Sequence, residues 1–134
     1  MAANTSPIFA LSPELAFATV TGATTDRTGA TTTNLVELLT ATTDGTKITQ
    51  IGAKAAGSNS ALSVLIFITN TSGTSPKLFD EIIFAAAAAT TVIVSQRVAT
   101  AYSDLQLKSG QKVMVGITVA VTDGVNIFAI KGDY

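Results

Sequence analysis

The side chains that could do chemistry in this 134-residue chain are few, and nearly all are carboxylates. Asp80-Glu81 is the only adjacent acidic pair. Glu14, Glu37 and Asp104 stand alone, and Asp26, Asp44, Asp123 and Asp133 sit in polar or turn contexts. Two carboxylates about 5–10 Å apart, one with a raised pKa, can hydrolyse a glycosidic bond. Glu14, Glu37, Asp80, Glu81 and Asp104 are the ones such a site could recruit. Neighbours on a strand point to opposite faces, so Asp80 and Glu81 cannot work as a pair there. One is expected in solvent and the other in a salt bridge or at an edge. Calcium favours oxygen-rich loops, but the Asp-x-Asp-x-Asp-Gly spacing of a calcium loop is missing, which leaves the loop aspartates as turn formers. The chain has no His and no Cys. That excludes a Ser-His-Asp or Cys-His nucleophile, a disulfide framework, an iron–sulfur cluster and a zinc site with the usual ligands. The sequence predicts no enzyme, no metal and no cofactor.

The elements that would have to position a site read as strands. Thr occurs 22 times and Ala 21 times, and Thr favours extended structure. Short Val/Ile/Leu/Phe runs alternate with polar clusters every 10–15 residues or so, as in an all-β sandwich or barrel. The pattern predicts eight strands, at 15–21, 35–41, 46–55, 61–70, 77–85, 91–99, 112–121 and 125–131. In the seventh, Val113, Val115, Ile117, Val119 and Val121 share one face. Leu62 to Ile68 is almost continuously apolar, which implies cover on both faces. Asp44-Gly45 and Asp123-Gly124 read as hairpin turns joining strands two to three and seven to eight. Asn70 to Ser75 and Ser109-Gly110-Gln111 are two more turns. Asp26 to Thr33 is polar with no obvious core residue. The five alanines at 85–89 read as a strand end or loop, because five residues are too few for a stable helix.

Composition narrows the partners. Charged residues are 13 %, about half of what soluble domains usually carry, and the net charge is −1. The eight basic residues are scattered singly apart from Lys108 and Lys112, so no nucleic-acid footprint is expected. Mean hydropathy is +0.46, yet the longest apolar runs fall far short of the roughly 20 residues of a membrane helix. No membrane contact and no secretory signal are expected. The sequence divides into an extended N-terminal arm at 1–13, with Pro7 and Pro13, and one domain at 14–134. Ile8, Phe9 and Leu11 on the arm need burial, on this domain or on a neighbour. With Tyr134 they are the candidate inter-subunit contacts. The other aromatics lie within strand patterns and are expected in the core, with Tyr102 the first to test for a ligand. A Thr-rich surface with little charge suits a domain held in a larger assembly.

The chain resembles a group of small all-β virion accessory proteins of tailed bacteriophages, of the capsid decoration (cement) type. The likeness runs through Ala3-Asn4-Thr5-Ser6-Pro7-Ile8-Phe9, Asp26-Arg27-Thr28-Gly29, Leu38-Leu39-Thr40-Ala41, Asp44-Gly45-Thr46-Lys47-Ile48 and Ala53-Lys54-Ala55-Ala56-Gly57. It continues through Leu65-Ile66-Phe67-Ile68, Leu78-Phe79-Asp80-Glu81-Ile82, Leu107-Lys108-Ser109-Gly110-Gln111 and Gly132-Asp133-Tyr134. The resemblance implies a jelly-roll or related Greek-key sandwich and a homotrimer. It implies a place on the capsid surface of a particle built in the host cytoplasm, against the major capsid protein lattice or another virion protein. No catalytic residue comes with it. The alternative is a tail- or surface-associated module that binds a glycan or host receptor.

Overall fold

A computed structural model describes residues 12–134. They form β1 (Ser12–Val20), β2 (Val36–Thr40), β3 (Thr46–Ala55), β4 (Leu62–Ile68), β5 (Lys77–Phe84), β6 (Arg97–Leu107), β7 (Lys112–Ile117) and β8 (Val125–Asp133), with no helix among the described residues. Two four-stranded antiparallel sheets result, in the orders β1-β8-β3-β6 and β2-β7-β4-β5. Only β4 and β5 follow each other within one sheet; every other connection crosses between sheets. The expected eight-stranded antiparallel sandwich is there, and its strand order is jelly-roll-like.

The two Asp-Gly turns are therefore corners and not hairpins. Gly45 and Gly124 have φ of 94° and 85°, the left-handed backbone that glycine accepts without strain. The strands they join, β2 with β3 and β7 with β8, lie in opposite sheets. Asp-Gly specifies the reversal; burial of the flanking apolar faces decides which strands pair.

Between the sheets lie Ile48, Ile51, Val64, Ile66, Val113, Val115, Ile117 and Ile127, all fully buried. Each such side chain contributes about 1.5–3 kcal/mol. Tyr102 closes one side of the sandwich, its hydroxyl donating to Asp80 Oδ2 of the other sheet at 2.7 Å. Burial and the neighbouring carboxylate push that phenol's pKa well above its ordinary value. At one end Ser12 faces Asp133 in the β1–β8 register. There the buried Lys131 ammonium contacts Glu14 at 3.0 Å and Asp133 at 3.1 Å. Burial works against its charge, but those carboxylates outweigh it and hold its pKa above the ordinary value. Asp133 also accepts from the Thr46 hydroxyl at 2.7 Å.

β3 has the expected bounds, and β4 is covered on both faces as its sequence implies. Three details differ. The sixth strand is Arg97–Leu107, not 91–99. Val92, Ile93 and Val94, which look like strand, form an exposed loop tip with Val92 88 % exposed. The seventh strand stops at Ile117, where Thr118 turns to bond Ser63, so Val119 leaves the core face while Val121 rejoins the interior. β1 includes Ser12 and Pro13, which pair with Asp133 and Gly132, so these two residues belong to the sandwich.

Candidate functional site

A sandwich has two outer faces, and this chain treats them oppositely. Residues 21–35 cross the β2-β7-β4-β5 sheet from β7 to β5. Thr24 N–H donates to the Ile117 carbonyl at 2.7 Å, and Arg27 Nε contacts Glu81 Oε1 at 2.7 Å. Leu35 comes down on Leu65 and Phe67, with Leu78 and Met114 beside them, in a second small core. Asp26 holds the loop's shape, accepting from the Thr28 hydroxyl and N–H and from the Thr31 N–H. Those bonds, the Thr28 hydroxyl first, lower its pKa to about 2. The polar stretch at 26–33 is thus a lid over apolar strands.

The outer face of the β1-β8-β3-β6 sheet has no such lid among the described residues. Its side chains form three rows in register. Leu15, Ile130, Gln50 and Ala101 make the first; Phe17, Phe128, Gly52 and Ala99 the second; Thr19, Asn126, Lys54 and Arg97 the third. Phe17 is 62 % exposed and Leu15 50 %, with Ile130 close behind. The Phe17 and Phe128 rings lie 6.3 Å apart, tilted by 54°. Phe128 settles over Gly52, where a Cβ would come within 2.4 Å of its ring. Arg97 sits 5.6 Å from the Phe128 centroid, within cation–π range. Lys54 Nζ is held by Ser95 Oγ at 2.8 Å. A concavity of about 660 Å³ opens here, with an apolar centre and a cationic row at one end. The three rows contain no carboxylate. An arrangement of this kind binds by apolar contact and favours a partner with carboxylates opposite Arg97 and Lys54.

The residues that sequence reasoning singled out are distributed differently. Ile8, Phe9 and Leu11 lie outside the described residues. Tyr134 packs on its own chain, its N–H donating to the Gly45 carbonyl at 3.1 Å and its hydroxyl turned inside. Tyr102 spends its hydroxyl on Asp80 and tilts against Phe79 at 5.7 Å. Four of the five candidate carboxylates have partners: Glu14 has Lys131, Glu37 has Lys112 at 2.9 Å, Asp80 has Tyr102 and Glu81 has Arg27, while Asp104 is exposed on β6. Among the described residues no three acidic groups gather to hold a metal ion.

Phe79, also expected inside, is exposed on β5, while Phe67 and Phe84 are in the core; Phe17 and Phe128 were expected there too, and the expectation fails. The cause lies in β1, where the inward positions are Ala16, Ala18 and Val20 and the larger Leu15 and Phe17 point out. Alternation gives the period of a strand without telling which face is inside. One available signal was β8, apolar on both faces through Ile127, Phe128, Ala129 and Ile130. The sequence matches no protein-family model and no curated protein.

Proposed function

We propose that the chain is a virion structural protein of a tailed bacteriophage, a capsid decoration (cement) subunit. It seats its open sheet face on the major capsid protein lattice and stabilises the head. The observation that carries this is the apolar face of the β1-β8-β3-β6 sheet, uncovered among the described residues and set against the lidded face behind it. A sandwich that covers one face with its own loop and leaves Phe17, Leu15 and Ile130 bare on the other is built to be covered by a partner. Many such contacts repeated on a lattice sum to strong attachment through avidity. The sequence resemblance supplies the virion; the face supplies the means of attachment.

Quantitative mass spectrometry of particles purified from the encoding phage tests it. The chain is expected at a copy number matching a lattice repeat, and Phe17→Glu with Ile130→Glu should lower its incorporation. Absence from the particles would overturn the proposal. The face also favours a second reading, a glycan-binding module, because Gln50, Asn126 and Arg97 surround Phe128. Binding to a glycan array that Phe128→Ala abolishes would select it.

A further inference from the structure

Among the described residues, four strands end the two sheets: β1 and β6 in one, β2 and β5 in the other. An end strand offers unpaired N–H and C=O groups to any further strand, and proteins blunt it with shortness, bulges or charge. Three of the four are blunted. β2 has five residues and a register shift between Glu37 and Leu39. β5 carries Lys77, Asp80 and Glu81 and meets a register shift at Ile66/Phe67. β6 carries Arg97 and Asp104 and meets one at Ile48/Gln50. β1 differs from all three. Its nine residues pair with β8 without a break from Ser12 to Val20. Pro13 blunts only its first end. Its one charge, Glu14, is bound to Lys131. Leu15 and Phe17 stand exposed along it.

We infer that β1 pairs antiparallel with β1 of a second copy about a twofold axis, joining two four-stranded sheets into one of eight strands. A twofold contact requires a strand that suits its own reverse. Residues 14–20 do so. Reversal about Phe17 sets Leu15, Phe17 and Thr19 beside Thr19, Phe17 and Leu15 of the second copy on one face, and reversal about Ala16 sets Leu15 beside Phe17. With the axis at Ala16 or Phe17, Glu14 falls opposite Ala18 or Val20, so no like charges meet. Arg97 and Lys54 lie on β6 and β3, away from the seam. The two open faces merge into a single apolar surface, and the symmetry is twofold where the resemblance implies threefold. Pairing at β1 does not depend on what that surface docks to.

Light scattering coupled to size exclusion, on the full chain over a micromolar concentration series, should give twice the 13.6 kDa of one chain. Phe17→Lys should weaken this self-association about tenfold or more, since each dimer carries the change twice. Ile83→Lys, on an apolar residue 83 % exposed on β5, should leave it intact. Circular dichroism of both variants checks that they fold. The native chain has no cysteine, so engineered cysteines can link only to each other. Leu15→Cys, Phe17→Cys and Thr19→Cys, singly and in pairwise mixtures, should yield a covalent dimer on mild oxidation in at least one combination. A monomer, a trimer, or a dimer that none of these combinations links would overturn the pairing.

Discussion

Gly52 decides the relief of the open face. Its absent side chain is the seat of the Phe128 ring, and the Val98 carbonyl closes the other side at 2.7 Å from where a Cβ would stand. The ring can swing away; the backbone carbonyl cannot. Gly52→Ala should therefore cost about 1–3 kcal/mol in chemical denaturation. It should also lift Phe128 from beneath Arg97. Tyr102 poses the complementary question between the sheets. Tyr102→Phe removes the donor to Asp80 and leaves that part-buried carboxylate without it, at a cost of about 1–3 kcal/mol by urea unfolding. The raised pKa of Tyr102 adds a pH signature. The unfolded chain ionises its phenol near 10.0 while the folded one resists, so this contribution is complete below that pH and declines above it. Tyr102→Phe should flatten the decline. Aromatic identity alone did not reveal these roles, because Phe17, Phe67 and Tyr102 sit in similar strand contexts and meet, in turn, an open face, a lid and the interior between the sheets.

The loop at 21–35 is the element that most changes the molecule's surface. Leu35 is its anchor, and Leu35→Ala should cost about 2–4 kcal/mol, measured by thermal unfolding, by opening a gap over Leu65 and Phe67. Asp26 gives the loop an acid limit. Its pKa is near 2 in the fold and 3.8 ordinarily, so its contribution is complete above the ordinary value and lost as pH falls toward 2. Asp133, with its pKa also lowered by Thr46 and Lys131 against the opposing effect of burial, declines in the same direction. Asp26→Asn should make stability less sensitive to pH between 4 and 2, followed by fluorescence-free circular dichroism since the chain has no Trp. Among the elements, β3 and β4 were legible to within two residues because long alternating or continuous apolar runs leave few options. β6 was not, because its inward positions include Thr100 and Tyr102 while the β-branched run just before it belongs to a loop. The lid was illegible for a related reason: a polar sequence covers a sheet by its backbone and one leucine.

At the scale of the whole molecule the surface is uneven. One broad side is sealed, and the other combines the bare sheet face with the apolar tip at Val92, Ile93 and Val94, joined to it through Ser95 and Lys54. Replacing Val92 and Val94 together by Ser should leave unfolding within about 0.5 kcal/mol of the native chain, since neither is buried. The double variant should stay dissolved to a higher ammonium sulfate concentration, because exposed apolar surface is what that salt penalises.

The meeting of Ser12 with Asp133 has a practical consequence for anyone who would build with this sandwich. Paired residues in an antiparallel ladder lie about 5 Å apart, so the strand that enters the domain and the strand that leaves it do so through one narrow doorway. A host protein could receive residues 12–133 within a surface loop and keep its own two loop ends almost where they were. Such a graft, or a permuted chain closed by a short glycine linker across the same gap and reopened at the Asn70 to Ser75 turn, would present the open sheet face on a scaffold of choice.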